Sequence, residues 1–113
     1  MSDGLNKKYI PMTETTYYTL LALIKPRHGY AIMRFVSHLT EDRIKLGTGT
    51  LYSMVGRLVD DKVIRILSAE SGKKTYIITE RGLDLLKIET KRLNQQLQNG
   101  MEILEREVSR DGK

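Results

Sequence analysis

The chain has 113 residues, 40% apolar and 29% charged, a globular composition whose length fits one conventional domain. No apolar run approaches the roughly 18–20 residues of a membrane span, and no apolar signal core follows Met1 to Lys8, so a soluble intracellular protein is expected. There is no cysteine, and His28 and His38 stand ten positions apart with no compact Asp/Glu cluster. This excludes disulfides, thiolate chemistry and any recognisable metal site, and predicts a non-enzyme without cofactors. Residues 1–79 carry 12 Lys+Arg against 7 Asp+Glu, and residues 80–113 carry 7 of each, so the whole net charge of +5 lies in the first two-thirds. Positive charge gathered in one part of a small protein suits a phosphate-bearing partner, although it also fits an ordinary solvated surface.

Residues 1–12 hold Gly4, two lysines and Pro11 without sustained periodicity and read as a flexible N-terminal arm. Thr13 is then a candidate N-cap, and Tyr17, Leu20, Leu21 and Ile24 recur at helical spacing in a helix that ends before Pro26. A second helix runs from Gly29 to Leu39 with Ile32, Met33, Val36 and Leu39 along one stripe, and His28 is its start residue. Thr40 to Gly49 is a polar connection with a short extended stretch at Arg43 to Leu46. Thr48 or Gly49 opens a third helix that turns Leu51, Val55, Leu58 and Val59 inward and Thr50, Ser53 and Arg57 outward, ending near Lys62.

From Val63 the pattern becomes β-branched and alternating, and it does so again from Lys74 to Ile78. The small polar residues between, Ser71-Gly72 among them, predict a β-hairpin. Thr79 caps a last helix from Glu80 to about Glu107, whose Leu83, Leu86, Leu93, Leu97, Leu104 and Val108 keep a 3-and-4 rhythm beside Met101. Its 28 residues would span about 42 Å at 1.5 Å per residue, longer than a body of this size can cover. An uncovered apolar stripe calls for a second copy, so Leu86, Leu93, Leu97, Met101 and Leu104 are assigned to a homodimer contact.

The fold class is therefore mainly α with a small β-hairpin: a winged helix-turn-helix at 13–79, followed by a C-terminal dimerisation helix and short tail at 80–113. In that architecture the third helix enters the DNA major groove. Thr48, Gly49, Thr50 and Ser53 are small or able to donate, as a groove-entering helix needs, and no carboxylate follows until Asp60. Thr48 to Thr50 also suffice as an ordinary cap, and a helix N-terminus can cap and bind phosphate together. Arg57 shares the outward face, to contact either base or phosphate. Tyr52 reads as core packing, recognition surface or a phosphate-bonded phenol, and Tyr30 similarly. Lys73 and Lys74 at the hairpin tip fit phosphate contacts.

These residues resemble a known family. Arg27-His28-Gly29-Tyr30, Gly49-Thr50-Leu51-Tyr52 with Arg57-Leu58, and Tyr76 to Gly82 in the order YIITERG look like the PadR family of bacterial transcriptional regulators. The resemblance runs from about Thr13 to Gly82. It implies a cytoplasmic homodimer that binds double-stranded operator DNA, most simply a repressor released by a small hydrophobic or phenolic inducer, and it places His28 near the DNA backbone. The alternative reading is a winged-helix protein-interaction adaptor that does not read DNA.

Overall fold

The computed structural model describes residues 2–108; the tail expected at 109–113 lies outside them. Five helices and three short strands follow in the order α1 (Ser2–Tyr9), α2 (Glu14–Ala22), β1 (Arg27–His28), α3 (Gly29–Leu39), α4 (Thr48–Asp60), β2 (Ile64–Ser68), β3 (Thr75–Ile78) and α5 (Glu80–Ile103), with wide helical turns continuing through Leu104–Val108. Three of the helices start on side-chain caps that satisfy otherwise orphaned amides. Thr13 Oγ1 accepts from the Thr16 N–H at 3.2 Å, His28 Nδ1 from Ala31 at 3.4 Å, and Thr79 Oγ1 from Gly82 at 3.1 Å. Helix α4 starts at Thr48 on Gly47, which supplies no side-chain cap. Its first amides thus stay open to an outside acceptor.

The core joins Leu20 of α2 and Leu23 at its C-cap, Ile32 and Val36 from α3, Leu51, Val55 and Leu58 from α4, Val63 just before the hairpin, Ile64 and Tyr76 within it, and Leu85 and Leu86 from α5. Helix α2 buries Thr16, Thr19, Leu20 and Ala22, whereas Ile24, expected on the core stripe, is half exposed. A helix apolar nearly all round carries no hydropathy gradient to orient it, so neighbouring helices choose its face. Tyr17 lies at the edge, where its hydroxyl meets Thr90 of α5 at 2.7 Å. Leu39 also turns outward, at the last residue of α3.

The flexible arm expected at 1–12 is instead helical from Ser2 to Tyr9. Its Tyr9 is buried, and Leu5, Ile10 and Met12 pack on the core. So few apolar residues in such a short segment establish no period of their own; tertiary contact holds the helix. No strand forms at Arg43 to Leu46, where a short extended stretch is expected. Ile44 folds back to donate its N–H to Thr40 Oγ1 at 3.1 Å, and the Arg43 guanidinium clamps both Glu14 carboxylate oxygens at 3.0 and 3.1 Å.

The predicted hairpin forms, with Ile64 opposite Ile78 and an irregularity between Ile66 and Ser68. A third strand was not foreseen: Arg27 and His28 pair with Tyr76 and Thr75, giving the antiparallel order β1-β3-β2. Two residues are too few to show alternation, and the partner β3 is distant in sequence. The molecule measures 62 × 34 × 21 Å, with a Cα radius of gyration of 16.9 Å, against about 13 Å for a compact 100-residue globule. Helix α5 accounts for the excess, since its second half leaves the body.

Candidate nucleic-acid interface

Helical geometry divides α4 cleanly. At 100° per residue, Leu51, Met54, Val55 and Leu58 share one side and are buried. Gly49, Ser53, Gly56 and Asp60 form the opposite ridge and are exposed. Tyr52 flanks that ridge on one side, while Thr50 and Arg57 flank it on the other. An added Cβ at Gly49 or Gly56 would meet nothing within 4 Å. From Gly49 to Gly56 the outward surface is therefore close to bare helix backbone, a shape that can sit deep in a groove, and the exposed Asp60 carboxylate marks its far end.

The ten positions singled out for DNA contact fall along this helix and on both sides of it. On the Tyr52 side, the start of α3, the middle of α4 and the hairpin enclose a cleft of about 470 Å³, which brings together His28, Tyr30, Tyr52, Lys73 and Lys74. No carboxylate lines it. On the other side Gly49, Thr50, Ser53 and Arg57 line a shallower depression with Thr15. Thr48 stands exposed at the start of α4. Thr15, Gly72 and Tyr76 join these surfaces unannounced by the sequence: Thr15 arrives through the packing of α2, and Tyr76 through strand pairing.

One close approach builds the larger cleft. A Cβ on Gly29 would lie 2.2 Å from the Tyr52 hydroxyl oxygen, so glycine is what lets that phenol seat against the start of α3. Tyr52 nevertheless remains half exposed and Tyr30 more so. Tyr52 thus packs one side of its ring on the start of α3 and leaves the rest exposed. Tyr76 is buried beneath them, and burial, with Tyr52 nearby, raises its phenol pKa. The Arg34 guanidinium lies 5.8 Å from the Tyr30 ring, and Arg27 is drawn inward at 4.3 Å over Phe35.

On the far side of Arg57 stands the N-terminal helix. Tyr9 donates its hydroxyl to Asp61 Oδ2 at 2.6 Å, and Lys8 Nζ lies 2.8 Å from the same oxygen. Those two partners, Lys8 first, hold the Asp61 carboxyl below the usual carboxylate range. Burial, then the bond to Asp61, pushes the Tyr9 phenol up to about 12. The acidic C-terminal end of α4 is in this way partly neutralised by a basic segment expected to be a loose arm.

Among the residues assigned to a dimer contact, Leu86 is corrected: it is 3% exposed and belongs to the core of its own chain. The helical rhythm continues from core to exterior without a break, so periodicity could not tell where one role ends. Leu93 is half-buried, whereas Leu97, Met101 and Leu104 are 57%, 56% and 64% exposed. Among the described residues, no helix is long and apolar enough to cross a membrane, and no three His, Asp or Glu side chains converge as a metal site would need.

Solved structures share this architecture. RosR of H. salinarum aligns with a TM-score of 0.61 and 21% identity, over 89% of this chain and 94% of that one. The complex hsRosR-S1 aligns with a TM-score of 0.67 and 20% identity, over 91% and 94%. The complex hsRosR-SG gives 0.58 and 19%, over 89% and 92%. At these identities the likeness establishes the winged-helix fold. No curated relative matches the chain. Residues 18–88, well over half of the sequence, match the transcriptional regulator PadR-like family. The match takes in both helices of the helix-turn-helix, the wing and the start of α5, and the chain belongs to that family.

Proposed function

We propose that this PadR-like regulator is a homodimeric repressor that inserts α4 into the major groove of a two-fold-symmetric operator. The observation that carries the reading is the surface around α4: a ridge nearly free of side chains from Gly49 to Gly56, between Arg57 on one flank and the cleft of His28, Lys73 and Lys74 on the other, which no carboxylate among the described residues lines. Backbone phosphates on either side of a groove would meet donors there, while Thr48, Thr50 and Ser53 face base edges. The exposed Leu97, Met101 and Leu104 supply the contact between copies. A small hydrophobic or phenolic effector, as the family resemblance implies, would bind in the space between the winged-helix core and the dimer helices. Release would then follow from a changed angle between the two copies.

Two measurements test the DNA reading. Lys73→Ala with Lys74→Ala should weaken binding to the upstream region of the protein's own gene and to random duplex about equally, and should flatten the salt dependence by roughly one phosphate contact per lysine. Identical affinity and salt slope would remove the wing from the interface. If no specific duplex is retarded over competitor DNA, the adaptor reading replaces this one.

Gly56→Ala should separate folding from binding. The added methyl has open space, and alanine favours a helix interior over glycine by about 0.8–1 kcal/mol, so the thermal midpoint should rise. The same methyl stands on the ridge that faces DNA, and operator affinity should fall. A variant that is more stable and binds as tightly as the parent would show that this ridge is not the contact.

A further inference from the structure

Helices α4 and α5 do not pack extensively on one another, yet the proposed function requires a defined angle between the helix that reads DNA and the helix that pairs the copies. Besides the packing of Leu85 and Leu86 on the core and the Tyr17–Thr90 bond to α2, two attachments tie α5 directly to the end of α4, and both depart from one turn. The first is at the start of α5. Thr79 donates its hydroxyl to the Lys62 and Val63 carbonyls at 2.7 and 2.9 Å, and its N–H to Val63 at 3.0 Å. That attachment fixes where α5 starts relative to α4 and leaves its direction to contacts further along the helix.

The second attachment is the N-terminal segment. It is anchored on the same turn, where Tyr9 and Lys8 hold Asp61 at the C-terminal cap of α4. Three residues later the Met12 N–H donates to Glu89 Oε2 at 3.1 Å. Glu89 is 1% exposed and is gripped by Arg92 at 2.7 and 2.8 Å through both carboxylate oxygens. Glu89 lies ten residues beyond Thr79 on α5, about 15 Å along the helix. Two fixed points at that separation define a direction where one does not.

We propose that residues 8–12 form a strap that sets the α4–α5 angle, making Lys8, Tyr9 and Glu89 positioning residues for operator recognition. The strap matters because α5 is a lever. From Glu89 to Ile103 it extends about 21 Å, so a tilt of about 10° displaces its far end by about 4 Å. Two recognition helices must stand about 34–36 Å apart to enter successive major grooves. A displacement of that size at the contact between copies moves them out of register while leaving each groove contact intact. The consequence for DNA rests on the proposed function; the angle itself does not.

The test exploits a chain without cysteine. Nitroxide labels at Asp60→Cys and Gln98→Cys, with labelled protein diluted into unlabelled, report the α4–α5 distance within one copy. Adding Lys8→Ala and Tyr9→Phe removes both ties to Asp61 while retaining the buried ring, and circular dichroism checks helix content. The distance distribution should broaden at unchanged helix content. An unchanged distribution overturns the strap whether or not the protein binds DNA. Should the double variant unfold, Lys8→Ala alone is measured against the same two outcomes.

A second arm, without labels, compares a full two-fold site with a single half-site, taken from the footprint on the gene's own upstream region. The variant should lose about tenfold or more on the full site, with its half-site affinity unchanged and a broadened preference for half-site spacing. Equal losses on both would make the exposed Lys8 a direct contact and overturn the positioning role. If the parent protein binds no DNA, the proposed function falls, and the label distances still decide the strap.

Discussion

Gly82→Ala should cost about 3 kcal/mol or more, the upper range for forcing atoms into a filled site. A Cβ there would lie 2.1 Å from the Val63 carbonyl oxygen and 2.9 Å from Ile78 Cγ1. The carbonyl cannot step aside, because it accepts both the N–H and the hydroxyl of Thr79, the cap of α5. Relief therefore requires α5 to lift from the hairpin, and the cap to break with it. In a domain of this size, each kcal/mol lowers the thermal midpoint by roughly 4–8 °C, so a fall of at least about 12 °C is expected. Gly100→Ala is the internal control: nothing lies within 4 Å of its added Cβ, and it should stabilise the helix slightly. If the two variants melt within a few degrees of each other, α5 does not approach the Val63 carbonyl this closely.

Arg92→Ala should be the second most damaging change. Removing one member of a buried pair leaves an uncompensated charge, which costs about 3–5 kcal/mol when the pair is fully enclosed. Arg92 is one-third exposed, so water screens part of that cost and the loss at neutral pH should fall below this range. The pH dependence provides the sharper check. The Arg92 guanidinium, with the Met12 N–H, holds the Glu89 carboxyl below its ordinary value of 4.5. Folding therefore releases protons from this group, and its contribution is full above the unfolded value and lost as pH falls through the depressed native one. Without Arg92, burial dominates and raises the carboxyl instead, so that acidification protonates it favourably. The stability gap between parent and variant should accordingly narrow from pH 7 to pH 4. A gap independent of pH would mean that Arg92 stabilises α5 by packing alone.

Both changes lie outside the DNA-facing ridge, and they show where sequence and structure divide. The winged-helix order was legible because its signals are local. Thr13 and Thr79 cap helices through bonds that span three residues, Ile32 and Val36 repeat at a helical period, and the β-branched runs on either side of Ser71-Gly72 pair as a hairpin. The outward placement of Thr50, Ser53 and Arg57 on α4 followed from the same period.

What tertiary structure alone decided has a common physical cause: in each case the partner lies far along the chain or the local pattern is too short to carry a period. Tyr9 has its meaning only beside Asp61, 52 residues away, and Met12 only beside Glu89, 77 residues away. With those partners unseen, residues 1–12 read as an arm. The two-residue strand β1 exists because β3 pairs with it. Helix α2, apolar nearly all round, took its buried face from its neighbours, and the leucine rhythm of α5 ran unbroken from Leu86 in the core to Leu104 in solvent. Periodicity states which residues share a face of a helix; only packing states what that face meets.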